Sequence, residues 1–193
     1  MSTRIGMVAG EASGDLLAAS VLQYWQQQKP RQAAVPPSDA SSSDIPSDPA
    51  PGEAASAPDV MSPASSGNLM QTAGIGGPRM QAAGFEAWWP SDLLAVHGYA
   101  EAFKVLPKLL WIRRQLAQRL LDWPARGFIG VDAPDFNLGL ETRLRAAGVR
   151  TWHFVSPSIW AWRRERIEKI RQAADHMLLI FPFEEAIYRE AGI

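Results

Sequence analysis

Short apolar runs alternate with stretches of helical periodicity along most of the chain, and this alternation constrains the fold more than any other feature. Arg4–Val8, Leu69–Ile75, Gly127–Val131 and Val149–Val155 are apolar runs of strand length, with Phe85–Trp89 and His176–Phe181 as further strand candidates. Between them, Leu16–Gln27 places Leu17, Val21, Leu22 and Trp25 at helical spacing, and a short helix runs to Ala83. Ala100–Leu121 carries Phe103, Leu106, Leu109, Leu110, Ile112, Leu116 and Leu120 on one broad apolar face. Phe136–Ala147, Arg163–Ala174 and Glu184–Glu190 complete the helical segments. A run that is apolar at every position, rather than at every second one, reads as a strand buried on both faces. Strand and helix in alternation therefore predict an α/β domain: a parallel sheet with helices on both faces. Ligands of such sheets bind beyond the carboxyl ends of the strands. Three unusual loops follow strands onto that rim, one rich in Gly, one in Asp and one in Trp.

One segment breaks the alternation. Pro30–Asn68 contains 8 Pro, 9 Ser and 8 Ala in 39 residues, with a net charge of −4 and few large apolar side chains. Such a composition buries too little to offset the entropy of ordering, which predicts a disordered insertion of polyproline character. The expected folded domain is thus residues 1–29 and 69–193. The 193 residues carry a net charge of −1, so no basic field draws the chain to nucleic acid. The sequence has no Cys, which excludes disulfides, thiolate zinc sites and a Cys nucleophile, and agrees with a reducing compartment. Met1–Gly10 is too brief for a signal peptide, and no stretch reaches the ~20 apolar residues that span a bilayer. The expectation is a soluble or surface-associated protein.

The first loop is Gly10-Glu11-Ala12-Ser13-Gly14-Asp15. Its glycines let backbone N–H groups turn towards a phosphate or sugar hydroxyl at a helix N-terminus, which makes Gly10, Ser13 and Gly14 candidate contacts. It lacks the spacing of dinucleotide and P-loop motifs, and Ser13 or Asp15 serves equally well as a helix cap. The second loop, Gly130-Val131-Asp132-Ala133-Pro134-Asp135-Phe136-Asn137, sets two carboxylates around a proline. A general base for a hydroxyl needs a carboxylate held at a strand end, which suits Asp132, with Asp135 orienting substrate or capping the next helix. The same residues also make a good turn. His97, His153 and His176 lack metal-ligand spacing and read as core or surface histidines. The third loop, Ser156-Pro157-Ser158-Ile159-Trp160-Ala161-Trp162-Arg163, leads into a helix with Arg164, Arg166, Lys169 and Arg171. Trp beside Arg suits a membrane interface or an anionic ligand with an apolar part, and the loop also reads as folded back on the core.

Taken together, MVAGEASGD (Met7–Asp15), GGPRMQAAGFEAW (Gly76–Trp88), GVDAPDFN (Gly130–Asn137), SPSIWAWR (Ser156–Arg163) and FPFEEAIYREAGI (Phe181–Ile193) resemble the lipid-A-disaccharide synthases, in the order of that family. The resemblance implies the N-terminal Rossmann-like domain of a GT-B glycosyltransferase. It also implies the reaction: UDP-2,3-diacylglucosamine condenses with 2,3-diacylglucosamine 1-phosphate to give the β-1,6 disaccharide and UDP, with inversion. No metal or cofactor is implied. The implied setting is peripheral, on the cytoplasmic face of the inner membrane. On that reading Asp132 is the first choice for the base and Glu11 the second. Asp15, Asp135, Asn137 and Ser158 are expected near substrate, and Trp160, Trp162 and Arg163 against acyl chains, the acceptor phosphate or the membrane.

Two departures from the family qualify this. The Pro30–Asn68 segment stands where the family has a short connection. The chain also ends at Ile193, before the expected C-terminal domain that binds the UDP-sugar and supplies most of the dimer contacts. A GT-B enzyme brings donor and acceptor together from opposite walls of a cleft, so one wall alone is expected not to catalyse. A competing reading is a non-catalytic α/β module that holds an acylated sugar phosphate or a membrane surface. A weaker third is a GT-B epimerase acting on a UDP-sugar, against which the Trp-rich loop argues.

Overall fold

The computed structural model describes residues 3–28, 70–94, 99–157 and 166–193, and only the backbone of 99–105. The expected insertion 30–68, His97, and the loop residues Ser158, Trp160, Trp162 and Arg163 lie outside the described residues.

The strands are β1 (Arg4–Ala9), β2 (Gln71–Gly76), β3 (Glu86–Pro90), β4 (Gly127–Val131), β5 (Arg150–Phe154) and β6 (His176–Leu178). The helices are α1 (Ala12–Gln27), α2 (Pro78–Ala82), α3 (Tyr99–Asp122), α4 (Pro134–Ala146), α5 (Arg166–Ala173) and α6 (Glu185–Glu190). All six strands are parallel, in the order β3-β2-β1-β4-β5-β6. This is the doubly wound order in which the chain runs outward from the centre in both directions, with the reversal between β1 and β4. The expected parallel α/β sheet is present, although His176–Phe181 yields only a three-residue strand before the chain turns at Pro182.

The alternation of side chains along the central strands explains the two covered faces. Met7, Ala9, Ile129 and Val131 pack with Ala18, Ala19 and Leu22 of α1 and Met80 of α2. Val8 and Phe128, one residue out of phase, pack with Ile112, Leu116 and Leu120 of α3 and Leu140 and Leu144 of α4. Strand neighbours thus feed opposite cores, and full burial of each Val, Leu, Ile, Phe or Met among them contributes about 2 kcal/mol. A smaller cluster at the β6 side joins Ile170 of α5 to Tyr188 of α6.

Two polar anchors fix the rim loops. Asp15, in the first turn of α1 and buried, accepts N–H bonds from Gly77 (2.9 Å) and Met80 (3.1 Å) on Oδ1, and from Arg79 (3.0 Å) on Oδ2. Gly77 at the N-cap of α2 has no side chain to cap it, so a carboxylate from another helix performs that task. At the far side, Ser156 Oγ lies 2.7 Å from the hydroxyl of the buried Tyr188. Burial pushes the Tyr188 phenol up to about 12; the Ser156 bond opposes this and the Glu184 charge adds to it.

Replacing Asp15 with Ala leaves buried N–H groups unpaired, and about 3 kcal/mol of stability should be lost. That loss corresponds to a Tm lower by about 6–12 °C for a domain of this size. An unchanged Tm, followed by circular dichroism, would show that α2 does not depend on this carboxylate. For Tyr188 the folded-state value lies above the ordinary 10.0, so the folded chain keeps a proton that the unfolded chain releases. The stability tied to Tyr188 is therefore fully present below about pH 10 and is lost as pH rises towards about 12. Melts of the parent and Tyr188→Phe should converge across that window; a constant difference would refute the assignment.

Candidate active site

The loops that follow β1 and β4 meet because Gly10 lacks a side chain. A Cβ on Gly10 would stand 2.9 Å from the Cβ of Ala133, closer than carbon atoms approach, so only glycine lets the two loops touch. Beyond Gly10 the chain stays extended at Glu11, and α1 begins at Ala12, four residues before the expected Leu16. Ser13, Gly14 and Asp15 are therefore in the first turn of a helix rather than in a loop. Gly14 is buried beside Ala9 and Val131, and Asp15 is committed to α2. Glu11 and Ser13 are exposed.

The β4–α4 turn is the most constrained backbone on this rim. Asp132 and Ala133 take φ values of 54° and 45°, the left-handed region that costs a non-glycine residue about 1–2 kcal/mol. Backbone bonds hold the turn in place. Asp132 N–H donates to Phe154 O (2.9 Å), and the Ala133 carbonyl accepts from the N–H groups of Phe136 and Asn137 (3.0 Å each). Asn137, expected near substrate, is instead fully buried beneath the turn. Its Nδ2 donates to the Asp132 carbonyl (2.7 Å) and, at 3.4 Å, to that of Val131. Consecutive residues in this region persist only where the surrounding bonds over-determine them, as these do.

Glu11 and Asp132, the two candidate bases, line one cavity of about 410 Å³. Its remaining walls come from Leu94, Ala133, Pro134, Asp135 and Phe136, and from Leu106, Leu109, Leu110 and Arg113 of α3. Asp135 stands at its rim, largely exposed, with an ion pair to Arg166 (3.1 Å) that solvent screening makes weak. Arg113 is partly buried, and its Nη1 donates to the Asp135 carbonyl at 3.5 Å. Burial holds its guanidinium below the ordinary range. The site thus sets three carboxylates and a guanidinium against an apolar wall.

The α3 wall escaped the sequence reading. Of the seven apolar residues expected on one face, Phe103 has no described side chain, and the structure divides the others. Ile112, Leu116 and Leu120 enter the core, whereas Leu106 and Leu110 stay 48% and 41% exposed at the cavity. The signal was present: the apolar stripe of this helix is wider than one packing face needs, and Arg113 interrupts it. The Trp-rich loop is described only at its start. There Val155 has a φ of 78°, an outlying value for a β-branched residue, and Pro157 is buried. Of the histidines, His153 is in the core and His176 lies on the outer strand, stacked on Trp152 at 6.0 Å. Among the described residues no helix is long and apolar enough to cross a membrane.

Comparison with known proteins now adds to this geometry. A family model described as lipid-A-disaccharide synthetase matches residues 62–193. The lipid-A-disaccharide synthase of Bordetella avium is 49% identical over 193 residues, covering 100% of this chain and 39% of the relative. That of Thiobacillus denitrificans is 48% identical over 187 residues, covering 97% of this chain and 40% of the relative. That of Verminephrobacter eiseniae is 47% identical over 191 residues, covering 98% and 39%. The chain therefore spans about two-fifths of the length of these curated relatives. With the family model matching 62–193, more than half of its residues, the chain belongs to the lipid-A-disaccharide synthetase family.

Proposed function

We propose that this domain is the acceptor-side half of a glycosyltransferase that joins UDP-2,3-diacylglucosamine to 2,3-diacylglucosamine 1-phosphate. The observation that carries the reading is the meeting of Glu11, Asp132, Arg113 and the α3 leucines around one cavity at the reversal of strand order. Asp132 takes the proton from the acceptor's 6-hydroxyl as that oxygen attacks the anomeric carbon of the donor. The bond to UDP breaks, UDP leaves with the electron pair, and attack from the opposite face gives the β-1,6 linkage. The donor enters from a facing domain, since transfer requires both sugars to be held in line.

Leu106, Leu109 and Leu110 suit the acyl chains of the acceptor, and Arg113 suits its phosphate. Trp111, 57% exposed on the same helix, together with the exposed Leu106 and Leu110, supports contact with a lipid surface; the surface we propose is the cytoplasmic face of the inner membrane.

In the enzyme that carries this domain, Asp132→Asn should lower kcat about 10²- to 10⁴-fold without changing Tm, because it removes the proton acceptor and keeps the shape. Formation of the disaccharide 1-phosphate, followed by mass spectrometry, is the measurement; near-parental turnover in the folded variant would remove Asp132 as the base. Combining Leu106→Ala and Leu110→Ala should raise KM for the diacylated acceptor about tenfold, the equivalent of ~1.4 kcal/mol of lost burial. The same pair should leave KM for a deacylated acceptor unchanged. Equal effects on both acceptors would place the acyl chains elsewhere.

A further inference from the structure

A group of buried polar side chains beneath the β4–α4 turn takes no part in the chemistry above. Glu141 of α4 and His153 of β5 are both fully buried, with Nδ1 of the imidazole 2.7 Å from Oε1 of the carboxyl group. One helical turn earlier on the same face of α4 stands Asn137, which holds the Asp132 carbonyl at 2.7 Å. Three buried atoms of this group have no hydrogen-bond partner among the described residues: Asn137 Oδ1, Glu141 Oε2 and His153 Nε2.

The three side chains converge on one point. Gly130 pairs directly with His153 across β4 and β5. A Cβ on Gly130 would overlap Glu141 Oε1 and lie 2.9 Å and 3.0 Å from Cβ and Cγ of Asn137. Glycine at this position opens the space that the polar group fills. Orphaned buried polar atoms are rare and call for an explanation.

We propose that His153, Glu141 and Asn137 form one buried hydrogen-bonded chain, with Glu141 as a neutral acid, that positions Asp132. The links run in one direction. His153 Nδ1–H donates to Glu141 Oε1, the Glu141 Oε2–H donates to Asn137 Oδ1, and Asn137 Nδ2–H donates to the Asp132 carbonyl.

Hydrogen-bond accounting favours this arrangement over a charged pair. With Glu141 ionised and His153 protonated, the Nε2–H would be a buried donor with no acceptor, and Glu141 Oε2 and Asn137 Oδ1 would be two acceptors with no donor. The neutral chain satisfies both oxygens and leaves only the bare lone pair of Nε2. It also removes the cost of desolvating two charges in the core. Consistent with this, burial pushes the Glu141 carboxyl above the ordinary 4.5, with the hydrogen bond and charge of His153 opposing. Asn137 is thereby fixed in the rotamer that holds Asp132 in its strained conformation, and His153, Glu141 and Asn137 are positioning residues. The proposal rests on the transferase reading only for its catalytic consequence.

The test uses the ¹⁵N-labelled 193-residue chain and needs no turnover. Imidazole nitrogens read by long-range ¹H–¹⁵N correlation should show His153 neutral, with its proton on Nδ1, at neutral pH. An imidazolium, or a proton on Nε2, would overturn the proposal. Glu141→Gln supplies an amide N–H in place of the acid O–H, so the Asp132 and Ala133 amide resonances should stay near their parental positions. Glu141→Leu has similar volume and no donor, so those two resonances should move further than any others on the rim. Parental Asp132 and Ala133 resonances in a folded Glu141→Leu variant would overturn the proposal, and if that variant does not fold, the His153 tautomer and the Gln variant decide. In the transfer assay Glu141→Leu should lower kcat about 10- to 100-fold with KM unchanged, and Glu141→Gln should restore it. Absence of transfer by the parent enzyme would sink the transferase reading while the resonances still decide this one.

Discussion

Two neighbouring parallel strands send their chains to opposite faces of the sheet, and the rest of the structure follows from that divergence. After β1 the chain enters α1, which packs on the face built from Met7, Ala9, Ile129 and Val131. After β4 it enters α4, which packs on the face of Val8 and Phe128. Strands side by side must stay within hydrogen-bonding distance, so the helices can only part above them, and a crevice opens there. Glu11 and Asp132 are among the first residues past the ends of these two strands, which is why both reach one cavity. The strand order brings both carboxylates to this place, and Gly10 lets the two loops that carry them touch.

The crevice is useful only if its edges are held, and the two edges are held differently. The β1 edge is simple: Gly10 gives way, Glu11 is extended, and α1 starts. The β4 edge carries two residues in the left-handed region, at a combined cost of about 2–4 kcal/mol. Three backbone bonds and the Asn137 amide oppose that cost, each net contribution being about 1 kcal/mol. The terms are of similar size, so the turn depends on its bonds being kept. This dependence explains why a fully buried Asn, rather than an apolar residue, occupies that place in the core of α4.

The strands, the order of elements and the rim on which the site lies were legible from the amino-acid sequence, because apolar runs and helical spacing are local signals. Roles that depend on a partner distant in the chain were not. Asp15 looked like a loop acid near substrate, yet its carboxylate caps a helix 62 to 65 residues further on. Asn137 looked like a polar contact at the end of a motif, but helical phase turns it inward under Asp132. The two apolar functions of α3, core and cavity wall, share one stripe and separate only when the helix meets the sheet. Glu141 and His153, 12 residues apart, drew attention to neither partner, since each is an ordinary residue in its own element.

The difference between the two edges also orders the candidate bases. A proton acceptor contributes to rate in proportion to how closely its oxygen is held on the line of transfer, and a displacement of ~1 Å can cost about 10²-fold. Glu11 is exposed at the start of α1, and its side chain makes no capping bond to fix it. Asp132 is partly buried on a backbone held at both its N–H and its carbonyl, with a short side chain that has few rotamers to lose. On the proposed transferase reading, rigidity therefore favours Asp132 over Glu11 for the base. Glu11 lines the same cavity on a longer and freer side chain, so its carboxylate is held less closely.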